Sequence, residues 1–148
     1  MYKHILIATD GSELAARGVE HGLAIAGALG AKVTVVTVTQ PLDARTIAAA
    51  TAAGVRDPLI RYEQSIDEEM QARFDAIGKS ADAQGVAVTL SHEVDRSPAE
   101  AIVRMAKQQN CDLIVMASHG RRGAKRLILG SQTAEVLAHT TIPVLVVR

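Results

Sequence analysis

Leu113-Ile114-Val115-Met116, then Ala117-Ser118-His119-Gly120-Arg121-Arg122-Gly123, and, after Ala124 to Leu129, Gly130-Ser131-Gln132-Thr133 form the stretch that decides the fold. The first four residues are apolar without alternation, the pattern of a strand buried on both faces, as in a parallel sheet between layers of helices. A glycine-rich connection follows, and Gly130-Ser131 opens a helix. A helix N-terminus presents free N–H groups and the positive end of its dipole. Arg121, Arg122, Lys125 and Arg126 lie in the connection, and no acid occurs between Asp112 and Glu135. Glycines sit where backbone approaches a ligand closely. Together these features compose a phosphate-binding loop.

Outward from that loop, the same strand–helix unit repeats. Ile5 to Ala8 reads as a buried strand, with an N-cap at Ser12 or Asp10. Ala15, Val19, Leu23 and Ala26 recur at helical spacing, and Gly30 stops the helix. The β-branched run Val33–Val38 is a second strand, ended by Pro41. Residues 41–57 fit either a short helix or an excursion. Pro58 suits a first helical turn, and Leu59 to Gln84 is helical, with Ile66, Met70, Phe74 and Ile77 on one face. Val86–Leu90 is a third strand, running on toward Val94. Ser97-Pro98-Ala99-Glu100 has the form of a capping box: Ser97 as N-cap, Pro98 at N1 and Glu100 at N3. Ile102, Val103 and Ala106 form the buried stripe of that helix. Ser131 to His139 is a short helix, and Pro143–Val147 is the fifth strand.

The expected architecture is α/β: a doubly wound, open, parallel five-stranded sheet of order 3-2-1-4-5, with helices on both faces. The 148 residues suit a single domain, 1–148. Lys+Arg and Asp+Glu both number 16, so the net charge is zero. That balance argues against nucleic acid and membrane surfaces as partners, both of which call for a basic face. The basic cluster near residue 121 is local and suits a small anion. The single cysteine, Cys111, forms no intramolecular disulfide and reads as a partly buried, inert thiol. No signal peptide or membrane-spanning run is visible, so the expected location is cytoplasmic.

Ligands of such sheets bind beyond the carboxyl ends of the strands, where the strand order reverses. Here that point lies between the first and fourth strands. It gathers Ala8-Thr9-Asp10-Gly11, the loop from Met116 to Gly130, and Val38 at the end of the second strand. Val38 and Met116 suit the faces of a base. Asp10 suits a ribose hydroxyl as well as a helix cap. The loop N–H groups, Arg121, Gly123 and the hydroxyls of Ser131 and Thr133 suit phosphates. His4, His21, His92, His119 and His139 are not grouped as metal ligands, and no nucleophile or general-base set is apparent. A Walker loop is absent. So are the acids and the lysine of a receiver domain and the serine-glycine loop of an adenylating pyrophosphatase.

At these residues the chain resembles the universal stress proteins of the UspA type. The resemblance spans the whole chain. It rests on Ile5 to Ser12, Ser97-Pro98-Ala99-Glu100, the glycine loop, and Ile142-Pro143-Val144-Leu145-Val146-Val147. Nucleotide-binding members carry glycine, two residues, glycine, nine residues, then glycine and serine or threonine. That pattern falls here on Ala117, Gly120, Gly130 and Ser131, with alanine in place of the first glycine. Alanine is costly there if the backbone needs a positive φ, about 1 kcal/mol or more.

The resemblance implies a Rossmann-like fold of the adenine nucleotide alpha hydrolase type. It implies ATP as ligand, with Mg or Mn bound through its phosphates rather than by the protein. It also implies a pocket lined by Ala8, Thr9, Asp10, Val38, Met116, Ala117, Gly120, Gly130, Ser131, Gln132 and Thr133. The expected function is that of a non-enzymatic, ATP-binding stress-response sensor. The alternative is a dimeric stress-response adaptor that binds no nucleotide. The edge strand Val144–Val147, apolar on both faces, is expected to pair with its own copy in a homodimer.

Overall fold

The structure, a computed structural model, describes residues 1–120 and 129–148. The elements, in chain order, are β1 (His4–Ala8), α1 (Glu13–Leu29), β2 (Lys32–Thr39), α2 (Ala44–Ala52), α3 (Pro58–Ala83), β3 (Val88–Val94), α4 (Pro98–Gln108), β4 (Leu113–Ala117), α5 (Ser131–His139) and β5 (Val144–Val147). All four strand pairings are parallel, and the order is β3-β2-β1-β4-β5. This is the doubly wound sheet that the apolar strand runs imply.

β1 and β4 lie at the centre and are buried along their whole length. Alternate residues feed two cores, because strand side chains alternate between the faces of the sheet. Ile5, Ile7, Val33, Val35 and Val115 pack with Val19, Leu23 and Ala26 of α1 and Ile77 and Ala81 of α3. Leu6, Val36, Ile114 and Met116 pack with Ile102, Val103 and Ala106 of α4 and Val136 of α5. Burying each large side chain contributes about 1.5–3 kcal/mol, so both faces of the sheet are fastened.

Several local signals act as read. Ser12 is the N-cap of α1, its hydroxyl accepting the Ala15 N–H at 3.2 Å, and the helix ends at Gly30. Pro58 takes the first turn of α3. Residues 44–52 resolve into α2, capped by Asp43, which accepts the Thr46 N–H at 2.8 Å. Cys111 is buried, and burial pushes its thiol up to about 11, which keeps it protonated and inert.

Three expectations need correction. β3 begins at Val88, because the Val86 N–H bonds back to the Ala81 carbonyl at the end of α3. Pro143 lies just outside β5, although its carbonyl accepts the Ile114 N–H at 2.9 Å. Ser97 is the N-cap of α4, but its side chain makes no capping bond, so the capping box does not form. Its backbone N–H instead donates to Asp95 Oδ1 at 2.9 Å.

Candidate functional site

The carboxyl ends of β1, β2 and β4 open into a cavity of about 710 Å³, within the range of ordinary small-molecule sites, about 300–1,000 Å³. Eleven of the expected residues line it together: Ala8, Thr9, Asp10, Val38, Met116, Ala117, Gly120, Gly130, Ser131, Gln132 and Thr133. Arg121 and Gly123 lie outside the described residues, as do Arg122, Lys125 and Arg126. The crevice forms here because β2 follows β1 on one side of the sheet centre while β4 joins it on the other, so the connections leave in opposite directions.

The turn after β1 is held by hydrogen bonds of its own chain. The Thr9 N–H donates to the Val36 carbonyl at 3.0 Å, and the Gly11 N–H reaches Thr9 Oγ1 at 3.3 Å. Asp10 Oδ1 accepts the Ser12 N–H at 2.9 Å, so the carboxylate is oriented at the mouth of α1. Gly11 has a φ of 77°, a conformation that side chains disfavour.

The glycine loop folds against this turn. A Cβ on Gly120 would collide with the Asp10 carboxylate. A Cβ on Gly130 would come within 3.0 Å of His119 Cα and 3.2 Å of the Ser118 carbonyl oxygen. The Gly130 N–H donates to that same carbonyl at 2.7 Å. Both glycines thus lie in close contact with the chain itself, Gly120 with a side chain and Gly130 with backbone. Gly130 then serves as N-cap of α5, whose exposed first turn at Ser131 faces the cavity. The N–H groups of that turn, with the helix dipole behind them, suit an anion.

Ala117 belongs to β4 and is not among the residues of positive φ, which outside glycine are Asp57 and Asn110 among the described residues. Alanine is unstrained there. Its backbone N lies near Gly18 of α1, where an added Cβ would sit 3.7 Å away. The Thr133 hydroxyl donates to the Ala117 carbonyl at 2.8 Å, so its proton fastens α5 to β4 rather than pointing at a ligand. Gln132 likewise reaches a neighbour: its Oε1 accepts the Ala99 N–H at the start of α4, at 3.0 Å.

One wall was not legible in the sequence. Tyr62, Ser65, Ile66, Glu69, Met70 and Arg73 of α3 close the side of the cavity beyond β2. Tyr62 donates its hydroxyl to the Gln40 carbonyl at 2.7 Å, which holds the helix against the end of β2. Ile66 and Met70 carried helical periodicity, but nothing marked them as pocket residues. Among the described residues, no group of three or more His, Cys, Asp or Glu side chains is placed to hold a metal ion.

The family model for the universal stress protein family matches residues 1–148. The chain is 31% identical over 148 residues to the universal stress protein MJ0531 of Methanocaldococcus jannaschii, covering all of this chain and 83% of that one. The solved structure of MJ0577, from the same organism, superposes with a TM-score of 0.80 at 31% identity, over 99% of this chain and 96% of that one. A universal stress protein solved in complex with cAMP has the same fold, with a TM-score of 0.72 at 24% identity, over 99% and 97% of the two chains.

Proposed function

The chain belongs to the universal stress protein family, and from that premise we propose that it is an ATP-binding stress-response sensor acting as a homodimer in the cytoplasm. The observation that carries the reading is the convergence of the β1–α1 turn, the glycine loop and the first turn of α5 on one cavity of ligand size. Phosphates would meet the N-terminus of α5 near Gly130 and Ser131. A ribose hydroxyl would donate to Asp10, and the base would lie against Val38 and Met116. That a protein of this fold has been solved with cAMP makes adenine nucleotides the first ligands to test.

The donor set fits ATP better than it fits a protein-bound metal. Gly120 and Gly130 let the loop close on Asp10 and on its own backbone beside the first turn of α5, while Asp10, a carboxylate of the lining, is tied to the Ser12 N–H. A Mg or Mn ion would therefore be held through the phosphates, whose charge it would offset. Arg121 and Gly123 remain part of the proposed phosphate site. We assign no catalytic residue: the reading is of a binding protein whose filled and empty states present different surfaces to a partner protein. No described helix is long and apolar enough to cross a membrane, and the balanced charge gives no general attraction to nucleic acid.

The homodimer would form through β5, which lies at the edge of the sheet with Val144, Leu145 and Val146 only half-buried. The decisive experiment is to purify the protein without added nucleotide and identify released small molecules by mass spectrometry, then titrate it with ATP and Mg²⁺ by calorimetry. Retained ATP, or a saturable ATP isotherm, is the expected result. A dimer that neither retains nor binds nucleotide would replace this reading with that of an adaptor.

A further inference from the structure

Arg73 is a described cavity residue whose charge the nucleotide reading leaves unused. Its side chain is 11% exposed, although it carries a full charge. Nη2 donates to Glu69 Oε1 one helical turn earlier, at 2.5 Å. Nη1 reaches across to Thr37 Oγ1 at the end of β2, at 3.4 Å. The guanidinium also fills the space into which any side chain at position 11 would project. One planar cation thus touches α3, β2 and the turn that presents Asp10. A buried charge is retained only with partners in good geometry, and an apolar side chain would pack the same space without that requirement.

The carboxylates of Asp10 and Glu69 line the cavity together with the first turn of α5. Anionic groups are favoured at the N-terminus of α5, and hydrogen-bond donors at a carboxylate. Neutral hydroxyls are donors of that kind.

We propose that Arg73 is a positioning residue for sugar recognition. By lying across Gly11 and reaching Thr37, it immobilises the turn from one side while the Ser12 N–H holds the Asp10 carboxylate from the other. The carboxylate is then presented ready to accept a ribose hydroxyl, and the pocket prefers a ribonucleotide to a deoxyribonucleotide. The proposal rests on the nucleotide reading above.

The test is calorimetric titration of wild type, Arg73→Met and Arg73→Lys with ATP, 2′-deoxy-ATP and tripolyphosphate. Wild type should prefer ATP to 2′-deoxy-ATP by about tenfold, the worth of one hydrogen bond to a charged group. Arg73→Met should weaken ATP by about tenfold and leave 2′-deoxy-ATP and tripolyphosphate within about twofold, erasing the preference. Arg73→Lys, with a point charge in place of the fork, should keep part of it. An equal loss for both nucleotides, or an unchanged preference in Arg73→Met, overturns the proposal. Should Arg73→Met fail to fold, Arg73→Lys decides: a reduced preference supports the proposal and a full one overturns it. A wild type that binds both nucleotides equally defeats only the sugar proposal. A wild type that binds neither defeats the nucleotide reading itself.

Discussion

The side-chain Oε1 of Gln132 accepts the backbone N–H of Ala99 at 3.0 Å, so a residue in the first turn of α5 caps the first turn of α4. Ser97, the N-cap by position, makes no side-chain capping bond. The helix that offers its N-terminus to the cavity is thereby tied to its neighbour in the second core.

Gln132→Ala should therefore destabilise the protein by about 0.5–2 kcal/mol, the usual worth of a lost cap. Ser97→Ala should cost less than about 0.5 kcal/mol, as an uncommitted surface position does. Urea denaturation of the two variants checks the order, and a larger loss for Ser97→Ala would contradict it.

Gly130 meets its own chain before it meets a ligand. A Cβ there lies 3.0 Å from His119 Cα, which is backbone and cannot swing aside. Gly130→Val should cost about 1–3 kcal/mol through overpacking and should also abolish ATP binding. Thermal unfolding and calorimetry together test this. Full stability with lost binding would show that the glycine serves the ligand alone.

Ala117 lies on the opposite face of β4 from Met116, which packs in the α4–α5 core. Its methyl group therefore points toward the α1 face, away from α5. Ala117→Gly should destabilise the strand by about 0.5–1 kcal/mol without tightening ATP binding. A marked gain in ATP affinity on titration would show that the methyl crowds the phosphates.

At the far end of the sheet, His4 is 5% exposed. Its ring bonds the Gln109 carbonyl through Nδ1 at 2.9 Å and Thr34 Oγ1 through Nε2 at 2.8 Å. Burial, assisted by Lys32, holds its pKa below the ordinary 6.5 against the pull of Gln109 and Asp112. The unfolded chain takes up the proton first as pH falls, so the neutral ring's contribution is complete above the ordinary value and is lost below it. Denaturation midpoints should fall as the pH drops from about 7.5 to 5.5, and the slope should be shallower in His4→Gln. Identical slopes would remove His4 as the cause. Asp112 acts in a lower window: burial works to raise its pKa, but the Lys3 and His4 N–H groups outweigh it, and the net shift is downward.

Among the described residues, β5 is joined to the sheet along one side only, by β4. Leu145→Lys or Val146→Asp should convert the proposed dimer to monomer or precipitate it, since each apolar side chain buried there contributes about 1.5–3 kcal/mol. Sedimentation at several concentrations measures this. A wild type that remains monomeric at high concentration would refute the interface.

The order of elements, and the edge of the sheet where a ligand can sit, are written in short-range residue patterns. Uninterrupted apolar runs such as Leu113–Met116 report burial on both faces, and Ser12, Gly30 and Pro58 mark helix ends through bonds or angles within a few residues. Such signals are local, so they survive in a linear reading. Which partners those groups take depends on how the layers pack. The Ala99 N–H goes to Gln132, 33 positions away, rather than to Ser97. Arg73 meets Thr37, 36 positions away, and brings α3 into the cavity wall. Gly120 and Gly130 leave room for Asp10 and for the backbone of Ser118 and His119. Periodicity records which side of an element is buried. It carries no record of which distant donor lies opposite a given acceptor once the layers have packed, because that depends on how the whole sheet brings the ends of its strands together.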